Sequence, residues 1–467
     1  MATNKVLILI PDGVGIRNFA FGNFAQKAKD AGLDITYWNN SSFELSKLGL
    51  KELKTPRPEH HALTDSIKRV KIENYMESYA EEFEDPAYLL YKFNNPVKSS
   101  IKDWIKNRIH SLLKWYLFGP RKQYAQFLIN YLEKKTPYFE ACLSQLEEIK
   151  PDFVFCTNQR PLTAVAPIEA AKFLNIPTGT FIFSWDNLPK ATLVIDPKHY
   201  FVWSDFMKKE LIKYNPGITE NSITVTGTPQ FEIYRDPDLL NKREEFREEY
   251  GLEGDVKYIC FSGDDHTTSP YDEFYLRDLA KTVHGMNQKS TGVRYGILFR
   301  KCPVDRSTRY DPILKEFGTL IISIDPKWEA AGEAWNQIMP MPEDNELLVN
   351  TVRNSEIVLN VGSSMVFDFY SMGKPCCYFN YDPVEADPKV WTIKRVNQFI
   401  HFRSMPSKEA VLWINSFEDI EIRLRDYFNQ PAIWNQDQTK TWFETVINQP
   451  IDQASANICA KINQLIS

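Results

Sequence analysis

A chain of 467 residues with 55 Lys and Arg against 61 Asp and Glu carries a net charge of −6. At roughly 150 residues per domain it holds two or three cores, which excludes a peptide or a disulfide-stapled scaffold. Hydrophobic residues at 43% and charged residues at 25% are ordinary globular usage, so disorder is excluded, and the mildly acidic balance excludes nucleic-acid binding along the whole chain. The 30 Phe, 22 Tyr and 11 Trp are plentiful, and flat rings suit sugar faces and membrane interfaces as well as cores.

The opening MATNKVLILIPDG reads as a first β-strand, because Pro-Asp-Gly follows the apolar run where a signal peptide would have a cleavage site. A helix over 23–31, stopped by Gly32, and a strand over 33–38 complete a βαβ unit with a parallel sheet behind it. Residues 63–150 change to long charged and aromatic stretches with helical spacing, a helical insertion. Sheet grammar returns with DFVFCTN, a helix over 164–173, PTGTFIFSWDN, HYFVWSD, a helix over 206–214 and SITVTGTPQF. Residues 232–254 read as a linker with one helix. The pattern then restarts: VKYICFSGDD, a helix over 273–284, VRYGILFRK, GTLIISID, a helix over 345–354, EIVLNVGSS, a helix over 365–372 and KPCCYFNYD.

Two sets of alternating βα units predict an α/β protein with two facing doubly wound Rossmann-like domains. The expected division is 1–235 with the insertion, 236–407, and C-terminal helices over 408–467 packing back across the domains. The seven cysteines form no Cys-x-x-Cys pair and sit in runs such as FVFC and YICF, which reads as free thiols in a reducing cytoplasm. No stretch approaches the about 20 apolar residues of a membrane span.

Ligands of open α/β sheets bind at the carboxyl ends of the strands, where loops converge and helix N-termini point their amides. The richest strand end is NVGSSMVFDFYSMGKP. There Gly362 permits close backbone approach, Ser363 and Ser364 open a helix, and Asp368 follows one turn on. A pyrophosphate fits that helix start and a ribose fits the Asp; the plain alternative is a Ser cap with a first-turn carboxylate. SGDDHTTSP brings Ser262 and Gly263 as a phosphate-cradling loop, FRKCPVDR brings Arg300 and Lys301 as cations for a diphosphate, and MPEDNELL adds Glu343 and Asp344 to the same rim. In the N-terminal half, FSWDNLPKA supplies Trp185, Asp186, Asn187 and Lys190, and the loop after the first strand supplies Asp12, Arg17 and Asn18. Asp186 or Asp12 can deprotonate an acceptor hydroxyl, or each can serve only a turn. The chain has no dehydrogenase glycine fingerprint and no Gly-Lys-Ser/Thr loop, and its seven His show no metal-ligand spacing. No metal and no permanently bound cofactor are expected.

SWDNLPK, VWSDFMKKEL, VTGTPQFEIY, PEDNELL and VGSSMVFDFYSMGKP, in that order, resemble the GT-B-fold glycosyltransferases of bacterial surface-polysaccharide synthesis, and are similar to enzymes related to the CDP-glycerol glycerophosphotransferases. Where that family carries Trp-His-Gly and Arg-Pro-His-Pro, this chain has Trp185-Asp186-Asn187 and Arg300-Lys301-Cys302-Pro303. The resemblance implies a nucleotide donor in the C-terminal domain, with UDP, CDP, GDP and CMP all open, and a glycan or lipid-linked acceptor in the N-terminal domain. Sugar transfer is the leading expectation; polyol-phosphate transfer, nucleotide-sugar 2-epimerisation and a non-catalytic glycan-binding scaffold are the alternatives.

Within the insertion, residues 98–122 hold Lys98, Lys102, Lys106, Arg108, Lys114, Arg121 and Lys122 against the single acid Asp103. Ile101, Trp104, Ile105, Ile109, Leu112, Leu113 and Tyr116 recur at three- and four-residue spacing. That is a basic amphipathic helix able to lie on an anionic membrane surface, or to pack on the domain with a solvated basic face. The expected location is the cytoplasm, with peripheral attachment at the inner membrane face.

Overall fold

The computed structural model describes residues 4–13, 15–92, 101–290, 292–330 and 338–466, without the side chains of 101–103, 105, 106 and 330. The chain divides into two compact units. The first comprises Met1–Gln230, Ala331–Met339 and Val446–Ser467, the second Phe231–Ala330 and Pro340–Thr445.

The strands of the first unit are β1 (Asn4–Ile10), β2 (Leu33–Asn39), β3 (Glu52–Lys54), β4 (Phe153–Cys156), β5 (Thr178–Phe181), β6 (His199–Val202) and β7 (Ile223–Val225). Among the described residues they form a seven-stranded sheet in the order β3-β2-β1-β4-β5-β6-β7. Its pairings are parallel, with Val6 opposite both Ile35 and Phe153. Central parallel strands are buried on both faces, so β1 reads as an unbroken apolar run. Its side chains still alternate. Leu7, Leu9, Val154 and Cys156 join a core with the insertion residues Ile67, Val70, Leu117, Ile129 and Tyr138. On β4 the ring of Phe155, next in the alternation, packs edge-on against Phe19 at 5.5 Å and Phe201 at 5.2 Å.

The insertion carries helices Thr64–Glu82, Ile101–Tyr116, Tyr124–Glu133 and Pro137–Ile149. The last begins where Thr136 accepts the Phe139 amide at 3.2 Å and proline, which has no N–H to satisfy, takes the first helical position. The basic amphipathic helix forms, but its faces are not those of the sequence reading. Leu113 packs toward the core with Leu117, Lys114 is paired with Glu73 at 3.1 Å and Glu77 at 2.8 Å, and Trp104, Leu112 and Trp115 are exposed. Lys98 lies outside the described residues, as do the side chains of Ile101, Lys102, Asp103, Ile105 and Lys106.

The second unit holds β8 (Val256–Ser262), β9 (Arg294–Arg300), β10 (Ile321–Ser323), β13 (Ser355–Asn360), β14 (Cys376–Phe379) and β15 (Leu412–Ile414); two short strands, β11 (Trp328–Ala330) and β12 (Ile338–Pro340), stand outside both main sheets. Its order is β10-β9-β8-β13-β14-β15. The stretch 232–254 contains two helices, Pro237–Leu240 and Arg243–Glu249, where one was expected. Residues 408–467, read as helical, also contain β15. Three apolar residues between turns are too short for periodicity to tell strand from helix. The final helix, Ala454–Ile466, belongs to the first unit, where Asn463 donates to the Ala31 carbonyl at 2.6 Å and Asn457 to that of Thr226 at 3.1 Å.

All seven cysteines are free, and burial pushes the Cys156 and Cys260 thiols up to about 12. Among the described residues no helix is long and apolar enough to cross a membrane.

Candidate functional site

Numbered within its own unit, each main sheet runs 3-2-1-4-5-6, with a seventh strand added in the first unit. Strand order reverses between the first and fourth strands, and a ligand crevice opens outside the carboxyl ends there. The reversal falls between β1 and β4 in the first unit and between β8 and β13 in the second.

In the second unit Ser262 and Gly263 leave β8 into the loop 263–271. That loop spends its donors internally. The Asp264 amide reaches Asp272 at 3.0 Å, the Thr267 amide reaches Asp265 at 2.8 Å, and the Ser269 amide bonds the Asp265 carbonyl at 2.9 Å. Arg309, unremarked in the sequence, stitches the loop from outside, donating to the carbonyls of Asp264 and Ser269, each at 2.6 Å, and pairing with Asp305 at 2.8 Å. A phosphate cradle of free amides is therefore not what this loop presents. Beneath it Tyr310 donates to Asp272 at 2.7 Å. Burial, opposed by Arg309, raises the Asp272 carboxyl to about 6, and burial together with Asp272 raises Asp264 well above the carboxylate range. Two adjoining acids oppose each other's ionisation, which favours the protonated form at each.

Arg300 ends β9 almost fully buried, its Nη2 within 3.0 and 2.9 Å of the Asp344 carboxylate oxygens. Asp344 also accepts the Lys327 amide at 2.9 Å and the Trp328 indole N–H at 2.8 Å. Arg300 Nη1 is closed to solvent with no hydrogen-bond partner among the described residues. Lys301 does not join it as an open cation, because its amine donates to the Ser307 carbonyl. Glu343 is exposed at the start of its helix, whereas Asp344 beside it is buried.

After β13, Gly362 has φ +79°, and a Cβ there would stand 3.1 Å from both Phe402 Cζ and Val396 Cγ1. Internal packing requires this glycine. The Ser363 amide donates to Asn360 at 2.7 Å and its carbonyl accepts from Tyr378 at 2.8 Å. Ser364 stands at the N-cap of Met365–Ser371 without a side-chain capping bond. Asp368, expected to face a ribose, is 3% exposed and accepts from the Tyr234 hydroxyl at 2.7 Å. The local pattern was read correctly, but distant residues fill the space beside it.

In the first unit Asp12 leaves β1 buried, and Asn158 Nδ2 stands 3.1 and 3.4 Å from its two oxygens. Asn158 in turn accepts the Arg160 amide at 3.1 Å, and the Arg160 carbonyl accepts from Lys68 at 3.0 Å. Burial, then Arg160, pulls the Lys68 amine down to about 8, against the opposing charges of Asp65 and Asp12. Gly15 makes the approach possible, because a Cβ there would come 2.8 Å from Thr157 Cβ and closer to its hydroxyl. Arg17 and Asn18 lie on the short helix Ile16–Phe19, with Asn18 buried.

The loop after β5 is tied to the same place. Gln159 donates to Asn187 at 2.9 Å and accepts the Phe183 amide at 3.0 Å; Asn187 donates to Asp186 at 2.8 Å, and Lys190 pairs with Asp186. Trp185, expected at an acceptor surface, is buried. Glu210, on the helix Asp205–Tyr214, is raised by burial to about 8, with Asp186 adding to the rise and Lys213 opposing it. Two carboxylates are thus held through consecutive residues at the end of β4, Asp12 by Asn158 and Asp186 through Gln159 and Asn187. The sequence reading missed Asn158, Gln159, Lys68 and Glu210. The polar run TNQR directly after an apolar strand was the available signal for the first two.

No family model matches the chain, and no curated protein matches it in sequence. Its fold does have solved counterparts. The UDP-GlcNAc 2-epimerase from Neisseria meningitidis bound to UDP-GlcNAc is similar with a TM-score of 0.52 at 12% identity, covering 98% of this chain and 100% of that one. The UDP-GlcNAc 2-epimerase from Methanocaldococcus jannaschii has a TM-score of 0.51 at 13% identity over 99% of each chain. A glycosyltransferase from Rickettsia africae has a TM-score of 0.50 at 12% identity, over 100% of this chain and 98% of that one. At such identities the likeness is one of fold, and the fold is GT-B, built of two Rossmann-like domains.

Proposed function

We propose that this chain is a glycosyltransferase that moves a sugar from a nucleotide donor to a hydroxyl of a surface-glycan or lipid-linked acceptor. The observation that carries the reading is the pair of carboxylates at the first unit's strand reversal, each oriented by a neutral amide. Amides fix a carboxylate's direction and leave it its charge, which suits a group that must take a proton. Asp12 is the preferred base, since it stands at the reversal itself. Asp186, paired with Lys190, is the second candidate.

The donor would lie at the second unit's reversal, over Ser262, Gly263 and the Ser363-Ser364 helix start, with Arg300 Nη1 supplying positive charge to the departing diphosphate. The acceptor oxygen would lose its proton to Asp12 and bond the sugar carbon as the carbon–diphosphate bond breaks. In this scheme the Arg300 guanidinium meets the leaving charge, and no metal is called on.

A thermal-shift panel of UDP, CDP, GDP and CMP tests the donor half, with stabilisation by at least one as the expected result. No shift with any of them would leave a glycan-binding scaffold. Incubation of the matching nucleotide sugar with and without acceptor then tests the chemistry. Release of the nucleotide only with acceptor supports transfer. Conversion of the sugar without acceptor would make the chain an epimerase, and phosphorus in the product a polyol-phosphate transferase.

A further inference from the structure

The insertion's outer surface is aromatic and cationic at once. On helix Ile101–Tyr116 the residues Trp104, Arg108, Leu112 and Trp115 fall on one face by their spacing, and Trp104, Leu112 and Trp115 are 61%, 67% and 76% exposed. The opposite side of this segment packs inward through Leu113 and Leu117. Helix Tyr124–Glu133 repeats the arrangement: Ala125 and Ile129 are buried, while Phe127 is 63% exposed and Tyr131 46%. Water gains nothing from such rings, and their concentration in one stretch needs an occupant.

Cations are built onto these rings. The Arg108 guanidinium lies 5.3 Å from the Trp104 ring centre, Arg121 5.5 Å from that of Tyr116, and Lys135 4.1 Å from that of Tyr131. Between the first helix and the turn after it lies a cavity of about 590 Å³, lined by Trp115, Phe118, Arg121, Ser111, Lys114 and Glu77. Glu77 is answered by Lys114 and Lys92, which leaves Arg121 as the cation at the cavity's edge. Indole and phenol rings beside guanidinium and ammonium groups match the headgroup layer of an anionic bilayer, where rings enter the acyl boundary and cations meet phosphates. The chain's net charge of −6 opposes a general attraction to such a surface, so the attraction must be local.

We infer that the outer face of helices Ile101–Tyr116 and Tyr124–Glu133 is a docking surface for an anionic phospholipid membrane, with a lipid phosphate entering the cavity beside Arg121. Attachment of this kind lies in the plane of the surface and needs no spanning helix. It is independent of the donor reading, because neither helix contributes a residue to either strand reversal.

Flotation of the full chain with phosphatidylcholine vesicles and with mixed phosphatidylcholine and phosphatidylglycerol vesicles tests it. Recovery with the mixed vesicles alone, falling as salt rises, is the expected result. The double variant R108E/R121E should lower partitioning roughly 30-fold or more, from about a fivefold loss per cation, and W115S/F127S should lower it on anionic vesicles at any salt. Unchanged thermal midpoint and unchanged nucleotide shift of these variants show that the fold and the donor reading are untouched. Equal flotation of wild type and both variants, or no flotation of wild type, overturns the proposal. So does a dimer by light scattering that W115S/F127S converts to monomer, which would assign the face to a second copy.

Discussion

The two strand reversals share one topology and treat charge in opposite ways. In the first unit Asp12 and Asp186 are oriented by Asn158 and Asn187, and Gln159 ties one loop to the other. In the second, Arg300 is locked to Asp344 and Arg309 to Asp305, and the buried Asp272 accepts the Asp264 amide. Amides fix the direction of a carboxylate without adding charge of their own. Ion pairs offset charge in a dry place, as Arg300 and Asp344 do at the second reversal. One topology therefore carries amide-held carboxylates in one unit and buried ion pairs in the other through side-chain choice alone.

The contrast can be broken most forcefully at Arg300. Arg300→Met leaves Asp344 buried with an uncompensated charge and should cost about 3–5 kcal/mol, read by urea unfolding. Adding Asp344→Leu should recover part of that loss, since no charge is then left unpaired, although the Lys327 amide and Trp328 indole lose their acceptor. In the first unit the strongest effect should be pH-dependent. Glu210 titrates near 8 in the folded protein against an ordinary 4.5, so the folded state keeps a proton that the unfolded chain has released. Stability should then fall as pH climbs from about 4.5 to about 8 and level off above that. Glu210→Gln should flatten this slope and be the more stable protein at pH 8.5 by on the order of 2 kcal/mol, measured by thermal melts across that range.

Gln159→Leu should cost about 1–3 kcal/mol by stranding Asn187 Oδ1 and the Phe183 amide. It should also loosen Asp186 while Asp12 stays held, so any acceptor-dependent rate that survives identifies Asp12 as the base. The smallest effect should be that of Tyr310→Phe, about 1 kcal/mol, since Asp272 keeps the Asp264 amide. Equal losses from Tyr310→Phe and Arg300→Met would erase the proposed difference between a hydrogen bond and a buried ion pair.

Much of the architecture was legible because it is periodic. Apolar runs marked β1, β8, β9 and β13, and the helix expected over 365–372 runs from Met365 to Ser371. β3, whose Glu52-Leu53-Lys54 holds a single apolar residue, and β15, whose three residues sit in a stretch of helical composition, carry no strand signal of their own. The site was less legible. Gly362 and Asp368 have the spacing of a nucleotide-binding turn, yet Phe402 and Tyr234, far away in the chain, decide what stands beside them. Lys114 was read with the basic face because Glu73 and Glu77, which hold it, lie a helix away. Asn158 and Gln159 carry no motif at all, and only the neighbourhood of β1 and β5 gives them partners.

The ownership of the last helix also sets an order of assembly. Ala454–Ile466 covers ground between Ala31 and Thr226 in a unit whose other strands end at Val225. On a ribosome that unit is translated first and finished last, since its closing piece emerges only after the entire second unit has been made. The second unit can fold as soon as its own residues appear, while the first must wait with Gly227 and the edge near Ala31 uncovered. A released chain truncated after residue 453 should therefore hold one mature domain and one incomplete one, the reverse of the usual N-to-C order.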